Sequence, residues 1–450
     1  MNHKRNLLIV LAHGLRSDAL SDEREWPLPT PHLVDLAERG VRLVLSSASP
    51  ADPGGMTSVL TGLHARQHGQ LRDDEQPQPL RDGLPAWLAD AGYHTVGVGE
   101  VGAFASLLDE SLVTEGVANP EPKPNRCWYT AAARSRGHAP ALAQQRRQRL
   151  RSGPLAPDRL MLEPEEDIDG FIAAQAAEAL GRMPEDKPWA MFVVFSGPGN
   201  ELPPPMYYDG LVEGADLAKG FVPAKFEQLD ALVEPELPRS VLQRLEPHQV
   251  ARIRADYLGR VSLIDHGVGR FNEALSKRKD ADRTWTVLTS DRGQLLGEHG
   301  LIGHRSFLAP SIEVPLIVTP PDAPGVSPPK EKFQDGLFSV VDVAPTIAHL
   351  GGADHPESVA GRSVLPIFNA EPVLPVPPAN LSEFHDRLLV ETERHKAVFR
   401  TGDRKCLGLF DLLEDPEEKV NLIHDNTATT RKLVLQMRLH LSGVLMPLRG

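Results

Sequence analysis

Short, continuous apolar runs recur along the first three quarters of the chain, and segments with helical periodicity separate them. A run of this kind is typical of a strand that is buried on both faces of a sheet. Strands that alternate with helices predict an α/β fold built around one doubly wound sheet. The predicted strands of this sheet are residues 7–12, 41–45, 93–98, 189–195, 285–289 and 314–318.

Helices are predicted between these runs from start and stop signals and from the spacing of apolar residues. The longest covers residues 249–277, where apolar side chains such as Tyr257 recur at helical spacing and indicate a core helix rather than a cofactor site. The other helices are predicted over residues 31–39, 53–61, 84–91 and 172–180, and one more begins near residue 342.

The pattern changes from about residue 376, where short apolar stretches predict antiparallel strands and residues 427–443 predict a final helix. We therefore divide the chain into a main α/β domain, residues 1–375, and a small antiparallel C-terminal subdomain, residues 376–450. Residues 119–166 are rich in proline and interrupt the alternation, so they are interpreted as a surface insertion over the sheet edge.

The charge balance restricts the classes of partner. The 450 residues carry a formal net charge of -13, which disfavours binding to nucleic acid or to an anionic membrane. A basic run at residues 146–151 is followed by an acidic run at residues 163–167, and the two blocks are expected to compensate each other at the surface. The sequence therefore predicts no nucleic-acid partner and no membrane partner.

Cysteine use and the N-terminal residues predict a cytoplasmic protein. Cys127 and Cys406 are far apart and give neither a disulfide framework nor metal-ligand spacing, so both are expected to be reduced thiols. The apolar run at residues 7–12 is short, and no small-residue cleavage site of a signal peptide follows it. No run reaches the length of a membrane span.

The stretch from Ser49 to Gly62 connects a predicted strand to a predicted helix. Asp52 suits the N-cap position, where its carboxylate can accept a backbone hydrogen bond, and Pro53 suits the first helical position. Gly62 is placed to end the helix. By itself the stretch predicts only the start and the end of one helix.

The motifs around this stretch occur in an order that resembles the sulfatase family, a branch of the alkaline phosphatase superfamily. The resemblance covers nearly the whole chain. It implies a large mixed, mostly parallel sheet sandwiched by helices, together with a small antiparallel C-terminal subdomain. The motifs are residues 6–14, Thr30-Pro31-His32, Leu60-Thr61-Gly62, Gln67-His68-Gly69, Thr289-Ser290-Asp291-Arg292-Gly293, Gly297-Glu298-His299-Gly300 and Gly361-Arg362-Ser363.

The residues that cleave sulfate esters in that family are replaced in this chain. The family's reactive residue is a Cys that is oxidised to formylglycine, and its position holds Asp52, with Met56 at the position of a family Arg. Two adjacent Asp that bind calcium in the family are replaced by His13 and Gly14, whereas Asp291 keeps one calcium-ligand position.

Positively charged residues of the family's site also differ. Arg292 follows Asp291, where its guanidinium would occupy the place of the cation and is expected to pair with Asp52 or Asp291 through two hydrogen bonds. The other replacements are Glu100 for a Lys, Gly102 and Gly199 for two His, and His304, followed by Arg305, for a Lys.

The first hypothesis is that the chain has lost sulfatase activity and acts as a non-catalytic binding or structural protein. Arg292, His304 and Arg305 are the predicted binding residues, and a small anion is the predicted class of ligand. No cofactor is expected, except for a residual divalent metal. The sequence leaves the oligomeric state and the identity of the ligand open.

The alternative is a hydrolase of phosphate or sulfate esters that uses a transition metal at His13, Asp52 and Asp291. Asp52 would then be a non-standard nucleophile, in parallel with aspartyl-phosphate chemistry. Each residue also has a structural interpretation: an N-cap for Asp52, a cap or a pair with Arg292 for Asp291, and strand-end packing for His13. An orthodox sulfatase ranks third, because neither Cys nor Ser stands at position 52.

Overall fold

The fold contains one large sheet with helices on both faces and a smaller sheet near the C-terminus. The computed structural model describes residues 5–20, 30–51, 53–72, 79–113, 127–155, 160–199, 202–212, 215–321, 333–334, 336–369, 371, 373, 377–425 and 427–445.

The strands of the described residues are β1 (Asn6–Ala12), β2 (Val41–Ser46), β3 (His94–Gly99), β4 (Glu110–Val113), β5 (Trp189–Phe195), β6 (Thr284–Thr289), β7 (Leu295–Leu296), β8 (Ile302–Gly303), β9 (Glu313–Thr319), β10 (Phe333–Gln334), β11 (Asn380–Phe384), β12 (Arg387–Glu391), β13 (His395–Arg400) and β14 (Cys406–Asp411).

The α-helices are α1 (Pro31–Arg39), α2 (Gly54–Thr61), α3 (Ala65–His68), α4 (Leu84–Asp90), α5 (Trp128–Ser135), α6 (Ala139–Ser152), α7 (Ile168–Arg182), α8 (Phe226–Leu229), α9 (Arg239–Leu242), α10 (Pro247–Ser276), α11 (Ala309–Ile312), α12 (Val343–Gly351) and α13 (Ala428–Leu445). Among the helices that the structure describes, none has the length and apolar character needed to cross a membrane.

The large sheet has the strand order β10-β2-β9-β6-β1-β5-β3-β4. Neighbouring strands pair in parallel except at β9, which runs antiparallel to both β2 and β6. The predicted mixed, mostly parallel sheet is therefore confirmed. The four apolar runs that predicted β1, β3, β5 and β6 are neighbouring strands of this sheet.

Alternate residues of the central strands face two separate hydrophobic cores, which explains why the runs are continuously apolar. In β1, Leu8 and Val10 face the core on the side of α7 and α10, whereas Leu7 and Ile9 face the core on the side of α4 and α12. The carboxyl ends of these parallel strands meet at one edge of the sheet, which is where ligands bind in α/β folds.

The C-terminal sheet has the order β11-β12-β13-β14, with every pair antiparallel, and α13 packs against it. The predicted small antiparallel C-terminal sheet is therefore confirmed. It docks on the main domain near β2: Glu383 N donates to the carbonyl of Ala48 at 3.0 Å, and the Glu383 carboxylate pairs with Arg66 at 2.6 Å.

The segment predicted as an insertion, residues 119–166, is described from residue 127 to 155 and from residue 160 onwards. Its helices α5 and α6 contribute buried side chains, Tyr129, Ala133 and Leu142, to the core beside α10. The acidic run at the end of this segment, residues 163–167, contacts α10, since Asp167 pairs with Arg260 at 2.7 Å.

Candidate functional site

The candidate site begins where β1 and β6 end. His13 and Gly14 follow β1, and Asp291 is the second residue after β6. Because the two strands are parallel neighbours, their carboxyl ends place these residues together. His13 Nδ1 lies 3.0 Å from Asp291 Oδ2, and the backbone N–H of Gly14 donates to Asp291 Oδ1 at 3.3 Å.

Two serines fix the backbone around Asp291. The Ser290 hydroxyl donates to the carbonyl of Ala12 at 2.6 Å and accepts from the backbone N–H of Leu15 at 3.0 Å. The Ser47 hydroxyl, which follows β2, donates to the carbonyl of Asp291 at 2.6 Å. Asp291 is completely buried as a result, and its position is determined by three strand ends.

Arg292 is also buried, with 5% of its surface exposed, and its Nε lies 3.8 Å from Asp291 Oδ2. This is an ion pair, and not the two-hydrogen-bond arrangement that the sequence predicted for Asp291, because His13 and Gly14 already donate to the Asp291 carboxylate. The alternative pair of Arg292 with Asp52 stays a prediction, since Asp52 lies outside the described residues.

Two glycines make room for the Arg292 guanidinium. A Cβ atom on Gly199, which follows β5, would lie 3.0 Å from Arg292 Nη1, and one on Gly14 would lie 3.1 Å from it. The backbones also meet, because Gly199 N donates to the carbonyl of His13 at 2.8 Å. Gly199 was noted in the sequence only as a replaced His, so this close approach was missed.

The charges around Asp291 favour its ionised form. Burial alone raises the pKa of this carboxyl, but the neighbouring His13 and Arg292, with the hydrogen bonds from His13 and Gly14, hold the pKa well below its usual range. Asp291 is therefore a permanent carboxylate with one guanidinium and one imidazole beside it.

Tyr257 of α10 forms two hydrogen bonds with the backbone of the loop after β1. Its hydroxyl donates to the carbonyl of Gly14 at 2.9 Å and accepts from the backbone N–H of Arg16 at 2.9 Å. Burial raises the pKa of this hydroxyl, so it stays protonated. The sequence identified Tyr257 correctly as a core residue but gave no sign of this polar role.

A buried ion pair supports the loop after β5. Arg260 of α10 pairs with Asp167 and Asp169, and Asp169 accepts the backbone N–H groups of Ser196 at 2.8 Å and Gly197 at 3.2 Å. Because Gly199 is only two residues beyond Gly197, Arg260 and Asp169 set the position of the loop that faces Arg292.

The start of α2 packs against the same site. A Cβ atom on Gly55 would lie 2.8 Å from the carbonyl oxygen of Asp291, so only a glycine fits here without a shift. The helix begins at Gly54 with Pro53 at its N-cap. The predicted position of Pro53 as the first helical residue is therefore wrong by one residue, whereas the N-cap role of Asp52 stays a prediction, because Asp52 lies outside the described residues.

His304 and Arg305 lie on a neighbouring segment and contact Glu236. The Glu236 carboxylate accepts the backbone N–H groups of His304 at 2.6 Å and Arg305 at 3.2 Å, and it lies 3.2 Å from His304 Nδ1. Ser311 links this segment to the site: its carbonyl accepts from Gly293 N, and its hydroxyl donates to the carbonyl of His304.

The described residues do not fit a calcium ion. Calcium takes about six to eight oxygen ligands, whereas the Asp291 carboxylate is engaged by His13, Gly14 and Arg292. Within the described ranges there is no group of three or more His, Cys, Asp or Glu side chains arranged for a metal ion. The set of His13, Asp52 and Asp291 remains a prediction, because Asp52 is outside those ranges.

Comparisons with known proteins identify the family. The family model named Sulfatase matches residues 5–353, which is more than half of the chain. The chain belongs to the sulfatase family. A second model, described as N-sulphoglucosamine sulphohydrolase, C-terminal, matches residues 297–444 of this sulfatase-family protein. The resemblance inferred from the motifs is thus confirmed.

The relatives of this sulfatase-family protein are distant but similar over nearly their whole length. It is 22% identical to an arylsulfatase of Clostridium perfringens, over 94% of this chain and 90% of that protein. It is 25% identical to a choline-sulfatase of Rhizobium meliloti, over 93% of this chain and 82% of that protein.

Among solved structures, the phosphonate monoester hydrolase of Agrobacterium radiobacter has the same fold. The TM-score is 0.79 at 20% sequence identity, and the match covers 98% of this chain and 95% of that chain.

Proposed function

We propose that this sulfatase-family protein does not perform the formylglycine-dependent reaction and instead binds a small anion, such as sulfate or a phosphate monoester group. The observation that carries the proposal is the state of Asp291. This carboxylate occupies a calcium-ligand position in the family resemblance, and here His13, the backbone of Gly14 and Arg292 engage it. Arg292 supplies a fixed positive charge in the region where the family uses a cation.

The geometry around Arg292 supports an anion as the ligand. The guanidinium lies against Gly14 and Gly199, the glycines that follow β1 and β5 at the carboxyl edge of the sheet. A planar guanidinium offers several N–H donors to sulfate or phosphate oxygens and remains charged at every accessible pH. Such binding requires no cofactor. Arg305 and His304, on the segment tied to Gly293 through Ser311, are proposed as further anion-binding residues.

A second candidate function is hydrolysis of phosphate or sulfate esters through a transition metal at His13, Asp52 and Asp291. The 3.0 Å approach of His13 Nδ1 to Asp291 Oδ2 supports it, because both groups are suited to such a metal. The names of the relatives, arylsulfatase and choline-sulfatase, also describe hydrolases.

Anion titration tests the first proposal. Calorimetry with sulfate and with phosphate, at an ionic strength held constant with chloride, is expected to show saturable binding that Arg292→Gln weakens at least tenfold. Arg182→Gln is the matched control, because Arg182 is exposed on α7 and pairs with its exposed helix neighbour Glu178. Equal affinities for the two variants would reject Arg292 as the anion-binding residue.

A turnover assay separates the two functions. Aryl sulfate, aryl phosphate and a phosphonate monoester are incubated with the purified protein, with and without added manganese or zinc. The anion-binding proposal predicts rates no higher than those of Asp52→Ala. A metal-stimulated rate that disappears in Asp52→Ala would establish the hydrolase instead.

A further inference from the structure

An ionic cluster, buried except at the partly exposed Glu313, joins the C-terminal sheet to the part of the main sheet that holds the candidate site. It consists of Glu313, which begins β9, Glu391 of β12, Lys396 of β13 and Glu418, which follows β14. Lys396 has no exposed surface, and Glu418 is 2% exposed. These four residues are called the carboxylate cluster below.

Lys396 is the positive centre of the carboxylate cluster. Its Nζ lies 2.5 Å from Glu418 Oε1 and 3.4 Å from Glu391 Oε1, and it donates to the carbonyl of Phe307 at 3.1 Å. One ammonium group thus pairs with two carboxyl groups, and Glu313 is the third carboxyl group of the cluster. If all three were ionised, two negative charges would lack a counter-charge inside the cluster, and buried charge of this kind is costly.

Glu313 is the carboxyl group of the cluster whose pKa is raised. Burial raises its pKa, and the facing charges of Glu391, Glu418 and Asp18 raise it further against the opposing effect of Lys396, so that the pKa rises to about 7. Asp18 belongs to the loop after β1, and the other charges come from the C-terminal subdomain. Near neutral pH, Glu313 is therefore partly protonated.

Two contacts of the carboxylate cluster hold the segment that carries His304 and Arg305. Lys396 donates to the carbonyl of Phe307, and Glu418 Oε2 accepts from the backbone N–H of Ala309 at 2.8 Å. The C-terminal subdomain therefore sets the position of this segment through charged groups.

The end of β2 connects the carboxylate cluster to Asp291. Ser46 faces Glu313 in the β2–β9 pairing, and its hydroxyl donates to Glu391 Oε2 at 3.2 Å. The next residue, Ser47, donates to the carbonyl of Asp291 at 2.6 Å. The adjacent residues Ser46 and Ser47 thus connect the carboxylate cluster to the backbone of Asp291.

We propose that the carboxylate cluster is a proton-dependent latch, which holds the C-terminal sheet against the candidate site while Glu313 is protonated and loosens when Glu313 releases its proton to solvent. The latch goes beyond anion binding, because it controls the docking of one subdomain on another whether or not a ligand is present.

Amide hydrogen exchange tests the latch in the full-length protein. When the latch opens, the pKa of Glu313 falls from about 7 to its ordinary 4.5. The latch should therefore open more often at higher pH, by about tenfold from pH 6 to pH 8. We expect this change, after correction for intrinsic exchange, in amides of β12 and β13. Amides of β1 and β5 report global unfolding and serve as an internal reference.

The variant Glu313→Gln imitates the protonated state without changing the size of the side chain. It is expected to reduce the pH-dependent change in β12 and β13 to less than about twofold, whereas Glu178→Gln, at an exposed position of α7, keeps the tenfold change. A tenfold change that persists in Glu313→Gln would overturn the proposal, and so would exchange that is independent of pH in the unmodified protein. Neither result depends on whether sulfate binds.

Discussion

Replacing Arg260 by Met should destabilise the fold strongly. Arg260 is 1% exposed and donates to Asp167 at 2.7 and 3.0 Å and to Asp169 at 2.8 Å. It also donates to the carbonyls of Leu202 and Pro203, at 3.0 Å each. Met fills much of the same volume but leaves two buried carboxyl groups without their cation, a change that costs about 3–5 kcal/mol in comparable buried pairs.

The loss should depend on pH. Burial raises the pKa of Asp169 to about 6, Arg260 lowers it and Asp167 raises it. A raised carboxyl pKa means that the folded state binds the proton more tightly, so this group costs stability as the pH rises from 3.8 towards 6. Without Arg260 the pKa rises further. The deficit of Arg260→Met should therefore be smaller at pH 5, where Asp169 can accept a proton, than at pH 8.

Urea unfolding at pH 5 and pH 8 measures both effects. Arg182→Met is the control, because the exposed pair of Arg182 with Glu178 is expected to contribute less than about 0.5 kcal/mol. Adding Asp167→Asn and Asp169→Asn to Arg260→Met should recover most of the lost stability, since the unpaired charges are then absent. A loss below about 1 kcal/mol, or an equal loss at both pH values, would refute the role assigned to Arg260.

Three further variants probe the candidate site. Gly199→Ala places a Cβ atom 3.0 Å from Arg292 Nη1, and it should weaken sulfate binding about tenfold and lower the stability by about 1–2 kcal/mol. Calorimetry measures the sulfate affinity and thermal melting measures the stability. An unchanged Kd for sulfate would contradict the prediction. Tyr257→Phe removes the hydroxyl that bonds the backbone of Gly14 and Arg16, and it should cost about 1–3 kcal/mol in urea unfolding. A loss under about 0.5 kcal/mol would argue against this role. Asp291→Asn should cost about 2–4 kcal/mol at pH 7. The wild-type carboxylate stabilises the fold above its unfolded pKa of 3.8 and loses that effect as the pH falls, so the difference should shrink in acid unfolding curves; a constant difference would conflict with the lowered pKa.

The central strands were predictable because burial on both faces demands continuous apolar sequence. β1, β5 and β6 each pack alternate residues into two cores, and every position therefore carries the same signal. The edge strands β4 and β10 were not predicted. They have four and two residues, and so short a stretch offers no periodicity that distinguishes a strand from a loop.

The site was predictable only where strand ends determine it. His13 and Asp291 meet because β1 and β6 are parallel neighbours, and the motif order supplied both strands. The pairing of Asp167 was not predictable, since the sequence indicated compensation by the nearby basic run, whereas its partner is Arg260, 93 positions away. Charge alone does not select a partner when the fold brings several cations within reach.

The reversed direction of β9 gives the chain two kinds of insertion point. Because β9 is the antiparallel strand, its first residue, Glu313, lies at the edge where the parallel strands finish, and its last residue, Thr319, pairs with Thr286 near the start of β6. Extra residues before β9 would therefore lie beside the candidate site. Extra residues after Thr319 would emerge at the far edge of the sheet, so a fluorescent label attached there would follow folding without approaching the candidate site.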